Sequence, residues 1–269
     1  MSYTGVKAIL EGQEHPEGER EDIRALCFLM KEAAAILKEK RRKRGAIDFD
    51  FPESKIIVDD KGYPIDIHPY ERNVATDIIE DFMLLANETV AEDYFWQEIP
   101  FLYRTHETPD SDKIKKLDTF IHNFGYYMKT GRENFHPKEI QKLLFSLEGE
   151  PEEPLISRLA LRSMKQAKYT TLNVGHFGLS TQYYTHFTSP IRQIHRIIKE
   201  NIHGKLNQKR LEHYEAILPS VAQQSSTMER RAQDAEREVD KLKKVEYMQQ
   251  YLGEAFTGVI SGVTSFCRT

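Results

Sequence analysis

A chain of 269 residues with 30% charged, 39% hydrophobic and 10% aromatic residues has a globular composition, which excludes a disordered chain, and this length can bury roughly 70–75% of the unfolded surface. With 38 basic against 42 acidic residues the net charge is −4, so no global basic field exists and any contact with nucleic acid or membrane has to be local. No apolar run approaches the roughly 20 residues of a membrane helix, and the start MSYTGVKAIL lacks a leader pattern. The expectation is a cytoplasmic protein with no membrane partner.

Residues 17–44 read as a charged helix stopped by Gly45, with a basic end, KEKRRKRG. That end suits the helix dipole as a solvated terminus, and RNA contact is the sharper alternative. AIDFDF and KIIVDDKGYPIDIHP look like strands, with Asp59, Asp60 and Gly62 supplying a turn. Asp48 and Asp50 share one strand face, as a wet edge or as a cation site. Val74, Ile78, Phe82, Leu85 and Thr89 mark a helix over 72–92, with Glu80 and Asp81 at the boundary of its apolar stripe. Both carboxylates read as surface groups, or as ligand contacts. A strand is expected at 97–104, then a helix from Ser111. Two short helices follow in HPKEIQKLLFSL and EPLISRLALRSMKQA, with 149–154 as linker. A long helix is expected over 225–252, with Ser226 and Glu229 as a capping box. Its stripe, Met228, Ala232, Ala235, Val239, Leu242 and Val245, serves either packing along the domain or a short coiled-coil partner surface. EAFTGVISGVTSF reads as a glycine-containing strand.

There is no twenty-to-fifty-residue repeat and no GxGxxG, GxxxxGK[ST], HExxH or GxSxG motif. Two cysteines, Cys27 and Cys267, are too few for a disulfide framework or a thiolate zinc site. The informative segment is 168–203. His176, Phe177, Tyr183, Tyr184, His186 and Phe187 crowd together around Gly175 and Gly178. Rings of this kind either stack unpaired bases or fill a buried core. In TSPIR, Ser189 is placed to cap a helix, Pro190 to open it and Arg192 to sit in its first turn, where free N–H groups and a guanidinium make a phosphate site. His176, His186, His195 and His203 lack the spacing of a zinc site.

GHFGLSTQYYTHFTSPIR resembles the signature of the ribonuclease II/R (RNB) family of 3′-to-5′ exoribonucleases. ERNVATDIIEDFMLLANETVAE, PFLYRTHETPDSDKIKKL and ERRAQDAEREVDKLKKVEYM are similar to ribonuclease R blocks in the same order, and GVISGVTSF to the start of the OB-fold module that follows the catalytic domain. The resemblance implies a hydrolase that threads single-stranded RNA, not DNA, into a channel and releases 5′-mononucleotides with Mg²⁺. It implies that Arg192 lies at the scissile phosphate, where a cation stabilises developing charge. Glu236, in AEREV, then lies near the active site; Tyr3, in SYTGV, stacks a base; Glu80, in IIEDFM, lines the path. His176 and Phe177 lie beside the RNA, with Tyr184, His186 and Ser189 as further RNA contacts.

The chain also departs from the pattern. The resemblance places the family's metal-binding aspartates before residue 1, and nothing here replaces them. SPIRQIHR lacks about five residues of the family's SPIRRYPDLxxHR, a loss that turns a following helical face by roughly 140°. The end reads SFCRT where SFG is usual. The expectation is therefore an α+β fold, a helix-rich partial RNB catalytic domain over 1–252 with a mostly antiparallel sheet. An incomplete OB-fold start occupies 253–269. As a family member it is an exoribonuclease, and this chain alone is expected to be inactive. A non-catalytic RNA-binding fragment and a non-functional remnant are the alternatives.

Overall fold

The computed structural model describes residues 1–13, 21–49, 51, 54–70, 72–130 and 135–258. Asp50, Cys267 and most of GVISGVTSF lie outside the described residues. The fold is α+β, with eight helices among the described residues and two small antiparallel sheets. No helix among them is long and apolar enough to cross a membrane.

Helices α1 (Tyr3–Leu10), α2 (Glu21–Arg44) and the first turns of α3 (Val74–Trp96) form one end of the molecule, around Ile9, Cys27, Ala34 and Ile78. Asn73 caps α3 by a capping box with Thr76. The basic end of α2 is solvated at Lys40, Arg42 and Lys43, while its other cations reach α3. Lys38 faces Asp77 at 4.0 Å, Arg41 bonds Asp81 at 2.5 Å and Arg44 bonds Glu88 at 2.5 Å. Residue numbers rise together along both helices, so α2 and α3 run parallel, stitched by these pairs. Asp81 is buried in this stitch, which corrects its reading as a surface carboxylate. Gly45 ends α2 with φ +104°, a conformation that favours glycine.

Between α2 and α3 the chain makes the hairpin β1 (Ser54–Val58) and β2 (Pro64–Pro69). Asp59 holds its turn by accepting from the N–H groups of Lys61 and Tyr63. Residues 46–49, expected as a strand, pair with no strand. Ile47 instead donates its N–H to the Gly178 carbonyl at 2.7 Å.

Helices α4 (Ser111–Ile121), α5 (Pro137–Leu147) and α6 (Glu153–Ser163) pack around Ile114, Ile121, Ile140, Leu147 and Ile156. Asp110 caps α4 at the expected residue. The third core joins the end of α3 to β3 (Tyr103–Thr105), β4 (Lys168–Thr170), α7 (Arg192–Ile202) and α8 (Gln208–Met248).

Two expectations fail here. The sheet expected over 97–104 and 168–188 shrinks to three paired residues on each strand, Tyr103–Thr105 against Lys168–Thr170. Most of 171–191 is irregular, because backbone turns at Gly175 (φ +78°) and Ser180 (φ +50°) break the extended run. The long helix begins at Asn207, whose side chain caps it, and Ser226 lies inside it. The Ser226 hydroxyl donates to the Ala222 carbonyl and accepts the Tyr169 N–H at 2.9 Å, so it is a tie to β4 and not a cap.

Candidate nucleic-acid interface

A column of rings runs through the third core. Its outer end is the Arg104–Glu229 ion pair, which joins β3 to α8. The Arg104 guanidinium sits 4.7 Å from the centre of the Tyr169 ring. The Tyr169 hydroxyl lies 2.7 Å from His186 Nδ1. Tyr184 stands edge-on between His186, at 5.7 Å, and His176, at 5.0 Å, and His106 follows at 5.1 Å from His176. Asn87 on α3 donates to the Tyr184 hydroxyl and accepts from the Thr188 N–H and hydroxyl. The segment leading to Arg192 is therefore tied to α3.

Burial disfavours charge along the column. It lowers His186 to about 4 and His176 to about 3, with the positive Arg104 adding to both. His106 is lowered for the same reasons. Tyr169 is pushed up to about 12 by burial, with the Glu229 charge beside it. The histidines are thus neutral at pH 7. Their Nδ1 atoms accept backbone N–H groups, His176 from Leu179 and His106 from Gly178. These bonds fold HFGLS into a tight turn, and a Cβ at Gly178 would stand 3.1 Å from His106 Nδ1, a tight contact.

The structure separates the residues read from the sequence into three groups. Phe177 is buried among α4–α6, and Tyr184 is buried in the column; with His176 and His186 they form packing more than an open platform. Ser189 does not cap α7. Ile191 stands at that position without a side-chain cap, and the Ser189 carbonyl contacts His195 Nε2 at 2.9 Å. Arg192 opens α7 as its first residue, exposed, and its side chain makes no bond to a described residue. Tyr3, at the start of α1, is 53% exposed. Glu80 is exposed and bonds Arg72 at 2.6 Å. Glu236 is exposed on α8. It stands seven residues from Glu229, bound to Arg104, and seven from Lys243, bound to the Gly62 carbonyl. Residues seven apart drift only about 20° around a helix, so Glu236 lies exposed on the side of α8 that carries these anchors. No described bond joins Arg192 to Glu236.

A cleft of about 440 Å³ lies beside Glu80, lined by Arg41, Arg42, Asp48, Phe49, Gln141 and Leu144 among others. Among the described residues no three of His, Cys, Asp and Glu converge to hold a metal ion, so the side chains described do not fit a catalytic cation.

Sequence reading missed Arg104, Glu229 and Asn87, which hold the column. The alternation in YRT was the available signal, since Tyr103 and Thr105 are buried and Arg104 between them turns to the other side.

The RNB domain family model matches residues 1–204. The chain therefore belongs to the RNB domain family. It is 42% identical to ribonuclease R 1 of Lactococcus lactis over 99% of this chain and 33% of that protein. It is 40% identical to ribonuclease R of Thermotoga maritima, over 99% of this chain and 38% of that protein. The Mycoplasma genitalium RNase R in complex with ribose-methylated single-stranded RNA superposes with a TM-score of 0.91 at 25% identity, over 99% of this chain and 42% of that one. The chain thus spans about a third of the curated relatives it matches.

Proposed function

We propose that this chain is the RNA-holding part of a 3′-to-5′ exoribonuclease acting on single-stranded RNA in the cytoplasm, releasing 5′-mononucleotides with Mg²⁺. The match of the RNB model to residues 1–204 carries the reading. In this reading Arg192 binds a backbone phosphate. Its guanidinium makes no bond to a described residue, and it opens a helix at the positive end of the dipole. Tyr3 offers an exposed ring face for a base. His176, Phe177, Tyr184 and His186 act beneath the surface, holding the turn and the segment that present Ser189 and Arg192. Glu80 lines the path. Glu236, exposed on α8, lies near the reacting phosphate and shapes the field there. Residues 1–252 are the partial catalytic domain, and 253–269 begin the OB-fold module. The described side chains assemble no cation site, so the chain alone binds RNA without cutting it.

The test uses labelled single-stranded RNA with Mg²⁺ and an EDTA control. The expected result is intact RNA together with measurable binding. Arg192→Ala is expected to weaken binding and to lower the salt slope by about one. An EDTA-sensitive ladder of products overturns the inactivity. Unchanged affinity and slope in Arg192→Ala overturn the phosphate contact.

A further inference from the structure

The chain carries a net −4, yet residues 192–210 hold Arg192, Arg196, Lys199, Lys205, Lys209 and Arg210 against the single carboxylate Glu200, a net +5. Helix α7 sorts its part of these charges by side. At about 100° per residue, Ile194, Ile197, Ile198 and Asn201 fall on one face and Arg192, Arg196, Lys199 and His203 on the opposite one. The first face is used in packing. Ile194 and Ile197 are buried in the third core, and Asn201 donates to the Tyr94 hydroxyl at 3.3 Å and to Gln97 at 2.9 Å. Arg192, Arg196 and Lys199 are thereby left exposed.

Glu200 does not neutralise the basic face. Arg210 on α8 donates to both of its oxygens, and Arg196 reaches it only through Nε, at 3.2 Å. No described bond uses the terminal nitrogens of Arg196 or the ammonium of Lys199. His195 Nε2 lies 2.9 Å from the Ser189 carbonyl, which holds the incoming TSPIR segment against the same helix. Arg192 and Lys199 are seven residues apart, so they differ by only about 20° around the helix and stand ~10 Å apart along it. A stacked strand carries a phosphate about every 3.4 Å, so this length faces about three of them.

We propose that Arg192, Arg196 and Lys199 form a track for successive phosphates of one RNA strand, running from the Arg192 contact toward Gly204 and the lysines beyond it. The track rests on the reading in which Arg192 binds a backbone phosphate. Like charges gathered on one face repel each other, and a polyanion relieves that repulsion while its own counterions are released.

Fluorescence anisotropy of a labelled twelve-nucleotide oligouridylate, in EDTA and over a salt series, tests the track in the full chain. Lys199→Ala is expected to lower the salt slope by about one, the signature of one lost phosphate contact, with an unchanged circular dichroism spectrum. Arg196→Glu with Lys199→Glu is expected to weaken binding about tenfold or more at low salt. Lys31→Glu with Lys61→Glu makes the same change in net charge at exposed positions on α2 and in the hairpin turn, and is expected to weaken it far less. If Arg192→Ala weakens binding while the α7 double variant only matches the Lys31, Lys61 control, the track is overturned and the Arg192 contact stands. If Lys199→Ala lowers the slope and Arg192→Ala does not, the Arg192 contact fails and the continuity of the track fails with it. A chain with no measurable affinity for the strand overturns both.

Discussion

Mild acid is expected to unfold this chain through its ring column. His176 and His186 are held at about 3 and about 4 in the folded state, against an ordinary value of 6.5. Below pH 6.5 the unfolded chain takes up two protons that the folded chain refuses, so stability falls as pH falls. The loss continues until the folded values are reached. With two protons the slope is about 2.7 kcal/mol per pH unit. From pH 7 to pH 4.5 each histidine contributes about 2.5 kcal/mol, together about 5 kcal/mol, which is comparable to the whole stability of a typical domain. Carboxylates do not mask this window: Glu107 and Glu200, lowered to about 2 by hydrogen bonds to Lys165 and Lys168 and to Arg210 respectively, lose their contributions mainly below it. Urea unfolding midpoints at half-unit steps between pH 7 and 4.5 measure the effect, at constant ionic strength. The variant His176→Gln with His186→Gln starts less stable and shows a nearly flat profile over the same range. A flat profile in the unaltered chain, or an equal slope in the variant, refutes the reasoning.

Three further perturbations test the ties around the column. Ser226→Val removes the acceptor of the buried Tyr169 N–H and is expected to cost about 1–3 kcal/mol in chemical unfolding. Asn87→Leu leaves the Tyr184 hydroxyl and the Thr188 N–H without their partner, at a similar cost, and hydrogen exchange at Thr188 speeds up. Gly175→Ala forces a Cβ at φ +78° to within 3.0 Å of the Thr181 carbonyl, and a lowered melting temperature equivalent to about 1–2 kcal/mol is expected.

Local signals were legible in the sequence where local chemistry decides. Asp110 before Ser111 and Gly45 after the basic run mark helix ends by side-chain acceptors and left-handed backbone, and the structure ends those helices there. The β1–β2 turn was readable from Asp59 for the same reason. Signals failed where a tertiary partner competes. Ser226 with Glu229 has the letters of a capping box, yet each residue is used by a strand far away in the chain, Ser226 by Tyr169 and Glu229 by Arg104. The helix runs upstream through Pro219, well before the expected start at 225. The aromatic run at 176–187 has strand composition, but its rings are spaced by each other and not by a sheet. The contacts that build the candidate site join residues about a hundred positions apart, Asn87 to Thr188 and Arg104 to Glu229, and no periodicity encodes such pairs.

The β1–β2 hairpin rests mainly on the far end of α8. From the last bond to the core, at Glu229, to the bond to Gly62, at Lys243, the helix rises fourteen steps, a lever of ~21 Å. Each degree of tilt about the Arg104–Glu229 anchor therefore moves the hairpin contact by ~0.4 Å. The stiffness of one helix, and the seat of one arginine, set where the hairpin stands relative to Glu236.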